Sequence, residues 1–178
     1  YSPTLGASEE ATCIACGAGK YLTTQGNDAE ADCVLCEAGE YSPMLGATEQ
    51  ATCIACGAGK YSNVQGADSS DACVNCVAGT YADATASTSC ALCVSGKYST
   101  LEGAASMDTC VNCAAGKYSR VAGADSVGAC TACAKGKYSQ EEAASSDATC
   151  TTCGVGTYSS QSGASVCSQC PASNSTNV

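Results

Sequence analysis

Cysteine is the residue in this chain with chemistry to offer. Eighteen cysteines stand among 178 residues, all in nine Cys-x-x-Cys pairs that begin at Cys13, Cys33, Cys53, Cys73, Cys90, Cys110, Cys130, Cys150 and Cys167. Pairs at this spacing suit three chemistries. The first is dithiol redox catalysis, which needs a thiol of lowered pKa at a helix start on an α/β scaffold. No stretch here shows the sustained helical periodicity that would supply such a helix, and nine tandem copies suit a scaffold better than an active site. The second is zinc: Cys13-x2-Cys16-x16-Cys33-x2-Cys36 fits the spacing of a four-thiolate site. Against zinc, nine pairs divide into four sites with one pair left over, every pair has two eligible neighbours, and the chain has only seven basic residues. The third is a ladder of structural disulfides in an oxidising compartment, the default for a cysteine-dense chain with little other core. The ladder is the reading adopted, with a four-thiolate zinc array as the outside alternative.

Other chemistry is thinly supported. There is no histidine, and no acid, base and nucleophile converge in the pattern, so no enzyme is expected. A formal charge of −10 and a pI near 4.1 argue against nucleic-acid binding and against an anionic membrane surface. No run approaches the roughly 18 apolar residues of a membrane-spanning helix. Acids cluster ahead of the first cysteine of a pair (Glu9, Glu10, Asp28, Glu30, Asp32, Asp68, Asp71), while Lys20, Lys60, Lys97, Lys117 and Lys137 precede tyrosines. Without an Asp-x-Asp-x-Asp-Gly loop this pattern predicts a solvated face rather than a calcium site. No cofactor is expected.

What must position the cysteines is a repeat. The phrase Cys-Ile-Ala-Cys-Gly-Ala-Gly-Lys-Tyr at Cys13 to Tyr21 returns letter for letter at Cys53 to Tyr61. First cysteines are spaced 20, 20, 20, 17, then 20, 20, 20, 17, so a period of 20 sits inside one of 77. Tyr1, Tyr21, Tyr41, Tyr61, Tyr81, Tyr98, Tyr118, Tyr138 and Tyr158 share one register. Gly19, Gly39, Gly59, Gly79, Gly96, Gly116, Gly136 and Gly156 stand two residues before the last eight of them. That glycine predicts a positive φ or a close approach of two backbones. Five residues after the tyrosine comes a second glycine, replaced by Ala86 and Ala143 in two copies; it reads as the turn of a short hairpin-like loop.

The division that follows is a partial first module at 1–16, a super-repeat of four modules at 17–93, another at 94–170, and a degenerate module or exit segment at 171–178. Tyr1 opens in mid-module, and Ser173 and Ser175 stand where glycine and tyrosine belong, as in a window cut from a longer array. The fold class expected is small and disulfide-rich: an elongated, solenoid-like rod of tandem one-disulfide modules, with short strands and turns and almost no helix.

Loop entropy bears on the pairing. Closing a Cys-x-x-Cys on itself constrains the unfolded chain by about 2 kcal/mol, whereas joining the second cysteine of one pair to the first of the next closes about 18 residues for about 3 kcal/mol. The longer link also pins the tyrosine and turn segments. The links expected are Cys16–Cys33, Cys36–Cys53, Cys56–Cys73, Cys76–Cys90, Cys93–Cys110, Cys113–Cys130, Cys133–Cys150 and Cys153–Cys167, with Cys13 and Cys170 paired to cysteines outside the chain. Sequence alone does not prove this connectivity. Each tyrosine is expected to pack on a neighbouring disulfide and glycine as the sizeable apolar contact of its module. Ile14, Val34, Ile54, Val74 and Val111, lying between paired cysteines, read either as intermodule filler or as an intermolecular seam. Asn174-Ser175-Thr176 is the glycosylation acceptor, and Ser2-Pro3 and Ser42-Pro43 suit O-linked sugars.

The run Cys-x-x-Gly-x-Tyr-Ser, then a Gly-Ala turn, then Cys-x-x-Cys, resembles the ephrin-receptor-like cysteine-rich repeat and is similar to the single-disulfide modules of tumour necrosis factor receptors. It spans Tyr1 to Cys170, with Ser after Tyr in seven of nine copies. The resemblance implies the same connectivity across each tyrosine and an extracellular or cell-surface rod. Departures exist: the family usually has proline after the second cysteine, whereas Gly17, Glu37, Val77 and Ala114 stand there, and only Cys170 is followed by one, Pro171. The function expected is a stalk, or a subunit of a surface hair or extracellular fibre, partnered by copies of itself or by other extracellular proteins and glycans. The alternative is a receptor or adhesin ectodomain that binds a protein or sugar.

Overall fold

The computed structural model describes residues 15–23 and 30–171. A chain so poor in large aliphatic side chains folds by turns, and each module begins with one. In the module of Tyr41, the Glu40 amide donates to the Glu37 carbonyl at 3.1 Å. Gly39, inside that turn, has a φ of +89°, the sign a type II turn requires at its third residue. The turn feeds a two-residue strand ending on the tyrosine. That strand pairs with the two residues between the next two cysteines.

The pairs are Lys20–Tyr21 with Val34–Leu35, Glu40–Tyr41 with Ile54–Ala55, Lys60–Tyr61 with Val74–Asn75, Thr80–Tyr81 with Ala91–Leu92, Lys97–Tyr98 with Val111–Asn112, Lys117–Tyr118 with Thr131–Ala132, Lys137–Tyr138 with Thr151–Thr152, and Thr157–Tyr158 with Ser168–Gln169. The register sets Tyr41 opposite Ile54 and Tyr98 opposite Val111, antiparallel.

Between the strands lie 3-10 turns at Glu30–Asp32, Gln50–Thr52, Ser70–Ala72, Met107–Thr109, Val127–Ala129 and Asp147–Thr149. Ser69 and Ser146 cap two of them, their hydroxyls accepting from the amides of Asp71 and Ala148. The modules that end at Cys90 and Cys167 have no such turn. A 3-10 turn here is three residues long, so the step from 20 to 17 is the removal of one complete element. The fold class is small and disulfide-rich, built of short paired strands in tandem one-disulfide units.

Two compact units divide the chain. One comprises Tyr1–Val77, Tyr81–Ala91 and Glu102–Met107; the other comprises Ala78–Thr80, Leu92–Leu101 and Asp108–Val178. Within the first, three backbone bonds join the module of Tyr21 to that of Tyr41. Gly19 donates to the Ser42 carbonyl at 2.8 Å, Leu22 to Ala47 at 3.0 Å, and Gly46 back to Cys16 at 2.8 Å. Within the second, Gly96 donates to Ser119, Ser99 to Ala124, and Gly123 to Cys93, at 2.7–3.0 Å. Tyr21 forms a parallel bridge with Ala47, and Tyr98 with Ala124. Within each unit these neighbouring repeats are thus hydrogen-bonded to one another, as in a repeat protein whose stability is summed from neighbours.

Backbones approach more closely still across two repeats. A methyl group built on Gly19 would lie 2.1 Å from the Gly66 carbonyl oxygen, and one on Gly96 would lie 2.0 Å from that of Ala143. Both demands foreseen for this glycine therefore hold at once, since the φ values are +78° and +87°. At the second-glycine register Ala86 and Ala143 keep the left-handed backbone, with φ of 55° and 53°. An L-residue there costs about 1–2 kcal/mol, offset in part by the greater unfolded-state entropy of glycine. Ala143→Gly is expected to stabilise the protein by about 0.5–1 kcal/mol, read as a higher melting temperature in differential scanning calorimetry.

Candidate functional site

The site with chemistry is the sulfur ladder. Cys16 is bonded to Cys33, Cys36 to Cys53, Cys56 to Cys73 and Cys76 to Cys90 in the first unit; Cys93 is bonded to Cys110, Cys113 to Cys130, Cys133 to Cys150 and Cys153 to Cys167 in the second. Cα–Cα separations are 5.6–5.9 Å. The turn and hairpin bring each pair together: the Cys36 amide donates to the Gly19 carbonyl at 2.9 Å, and the Cys113 amide to Gly96 at 2.8 Å. Cysteines held in disulfides offer no thiolate to a metal. Cys170 is exposed and unbonded. Cys13, Ile14 and Asn174 lie outside the described residues.

The sulfurs lie in a core of unusually small groups. Cys36, Cys56, Cys76, Cys93, Cys113 and Cys133 are buried, together with Ser42, Ser62, Ser99, Ser119 and Ser139 after the tyrosines and Ala47, Ala67, Ala104, Ala124 and Ala144 after the turns. The buried hydroxyls have a fixed task. Ser62, Ser99, Ser119 and Ser139 each accept from the amide two residues on, those of Val64, Leu101, Val121 and Glu141, at 3.3 Å. Such ST turns bend the chain out of the strand and satisfy a polar atom that burial would otherwise penalise. The repeated Tyr-Ser and Gly-Ala pairs are the signal for this core, although serine is an unobvious core residue.

The tyrosines are less buried than these small residues. Tyr21 through Tyr138 are half-buried and Tyr158 is 42% exposed. Backbones pack closely against Gly19, Gly39, Gly59, Gly79, Gly96 and Gly116, and the fully buried side chains are sulfur, hydroxymethyl and methyl groups. Gly136 and Gly156 keep the positive φ, at 78° and 79°, but nothing lies within 4 Å of where a Cβ would stand.

On the outside, Val34, Ile54 and Val74 are 46–51% exposed, each opposite its tyrosine. In the second unit Val111 holds that register, followed by exposed Thr131, Thr151 and Ser168. Lys20 pairs with Glu30 at 3.3 Å. Arg120 lies 5.8 Å from the centre of the Tyr118 ring and pairs with Asp147.

The hydrogen bond from the Arg120 guanidinium, and then its charge, hold the Asp147 carboxyl below its ordinary range. A carboxylate depressed on folding contributes stability above its unfolded pKa and loses it as pH falls through the folded one. Both partners are exposed, so added salt should move the NMR titration midpoint of Asp147 up toward the ordinary value.

Sulfur accessibility differs along the ladder. Every link from Cys16–Cys33 to Cys133–Cys150 has a buried second cysteine of its pair, whereas Cys153 and Cys167 are both only half-buried. Thiol attack requires access. Cys153–Cys167 is therefore expected to be the first link cut in limiting dithiothreitol, as mapped by alkylation and peptide mass spectrometry.

The family model described as tyrosine-protein kinase ephrin type A/B receptor-like matches residues 23–73 and 143–178. Eight tandem disulfides of one geometry accompany that match. The matched residues, just under half of the chain, are similar to ephrin-receptor-like repeats, and with the tandem one-disulfide units they are consistent with a cysteine-rich repeat array, which suggests an extracellular repeat protein. No curated protein matches it. Among the described residues no helix is long and apolar enough to cross a membrane.

Proposed function

We propose that this array is a structural segment of an extracellular protein: a stalk, or a subunit of a surface hair or fibre, that associates side by side with copies of itself. It has no catalytic role and needs no cofactor. The observation that carries this reading is the row Val34, Ile54 and Val74, left half-exposed at the same register of successive modules. Apolar side chains repeated at a fixed interval offer a partner equivalent contacts module after module. Ser and Thr hydroxyls on the loops are candidates for O-linked sugars.

The test is association. Sedimentation of the native chain should show concentration-dependent assembly, and V34S/I54S/V74S should abolish it while leaving the circular dichroism unchanged. Native chain that stays monomeric at every concentration would contradict the lateral contact. A second reading, an ectodomain that binds a protein or sugar, is favoured by one feature: the row turns polar at Thr131, Thr151 and Ser168. It is distinguished by loss of ligand capture on substitution of those three residues alone.

A further inference from the structure

We infer that the chain is a length-limited tether whose reach is set by sulfur and released by thiols, a property of the single chain that goes beyond any lateral assembly. The covalent path carries it. Each link joins cysteines 17 residues apart, or 14 for Cys76–Cys90 and Cys153–Cys167, across a Cα–Cα distance of 5.6–5.9 Å. Tension applied to the two ends therefore passes from Cys16 through sulfur to Cys33, along three residues to Cys36, and through sulfur again. The tyrosine, the glycines, the turns and the 3-10 elements lie in closed loops that bear no load.

A pulled module contributes roughly 16 Å of contour, one sulfur bridge plus three extended residues. Cutting a bridge puts its loop in line. The gain is roughly 50 Å for each of the six long links and about 40 Å for each of the two short ones. The cut is ordinary exchange. A dithiol's thiolate attacks one Sγ and forms a mixed disulfide, and the other cysteine leaves as thiolate. The reagent's second thiol then displaces the first cysteine, so two electrons pass to the protein and the dithiol closes into its own disulfide. The burial of Cys36, Cys56, Cys76, Cys93, Cys113 and Cys133 shields their sulfurs from the reagent while the module is folded. Tension that strips the neighbouring backbone from them exposes the bridge to attack.

Single-molecule pulling on the full chain between handles at its two ends tests this. Without reductant the stretch from Cys16 to Cys170 should extend to roughly 130 Å and stop. In dithiothreitol eight further steps should appear, six of one size and two about a fifth shorter. C113A/C130A should show one long step before any reductant is added. Long extension of the oxidised native chain, or reductant steps only a few ångströms high, would overturn the inference, because the second result means that each Cys-x-x-Cys is closed on itself.

Discussion

Alanine at Gly96 is expected to unfold its neighbourhood, while alanine at Gly136 lowers stability by only about 1–2 kcal/mol. Both glycines sit at the same register with φ of +87° and +78°, so both substitutions carry the left-handed backbone cost. Only Gly96 faces another backbone: its new methyl group would meet the Ala143 carbonyl oxygen at 2.0 Å, whereas the one at Gly136 meets nothing within 4 Å. A backbone oxygen cannot swing aside as a side chain can. Moving it disturbs the bonds from Gly96 to Ser119, Cys113 to Gly96 and Ala143 to Cys113, each worth about 1 kcal/mol. The sum with the strain is about 4–5 kcal/mol. Urea denaturation of the two variants measures the difference. Equal losses would mean that the close approach carries no energy.

Removing one rung should have a somewhat smaller effect, again a local one. C113A/C130A frees a segment of 17 residues' separation, at a cost of about 3 kcal/mol. The double substitution leaves no stray thiol. In a repeat array stabilised by nearest neighbours, the loss should concentrate at that rung. Hydrogen exchange should quicken at the amides of Cys113, Ser119 and Ala143 and stay unchanged at Cys36 and Ser42. Uniform quickening along the chain would mean that one cooperative core, rather than a ladder of linked modules, holds the structure.

Much of this architecture is visible in the sequence because its parts are covalent or conformationally obligatory. Cysteine spacing marks the module, and a glycine at each Gly-x-Tyr marks a backbone that L-residues resist. The two-residue strands around each tyrosine follow from the lack of any longer apolar pattern. What lies hidden is which repeat touches which. Gly19 meets Gly66 and Gly96 meets Ala143, contacts that skip a module, and identical repeats carry no mark of the partner's number.

The core itself is harder to read. Aromatic rings are the largest apolar groups available, yet Tyr41 is half-buried while the small Ser42 and Ala47 are buried. The shorter step before Cys90 and Cys167 is visible as three missing residues; that those residues form a complete 3-10 turn elsewhere in the array is not, because segments such as Ser70–Ala72 have no helical periodicity to display.

The most direct test of what holds the modules is backbone exchange of the native chain under two treatments, by mass spectrometry. In excess EDTA the protection of Cys36, Gly59, Cys113 and Gly116 should be unchanged. In dithiothreitol it should vanish module by module. Protection lost to the chelator and retained in the reductant would contradict the sulfur ladder and put a bound ion in its place.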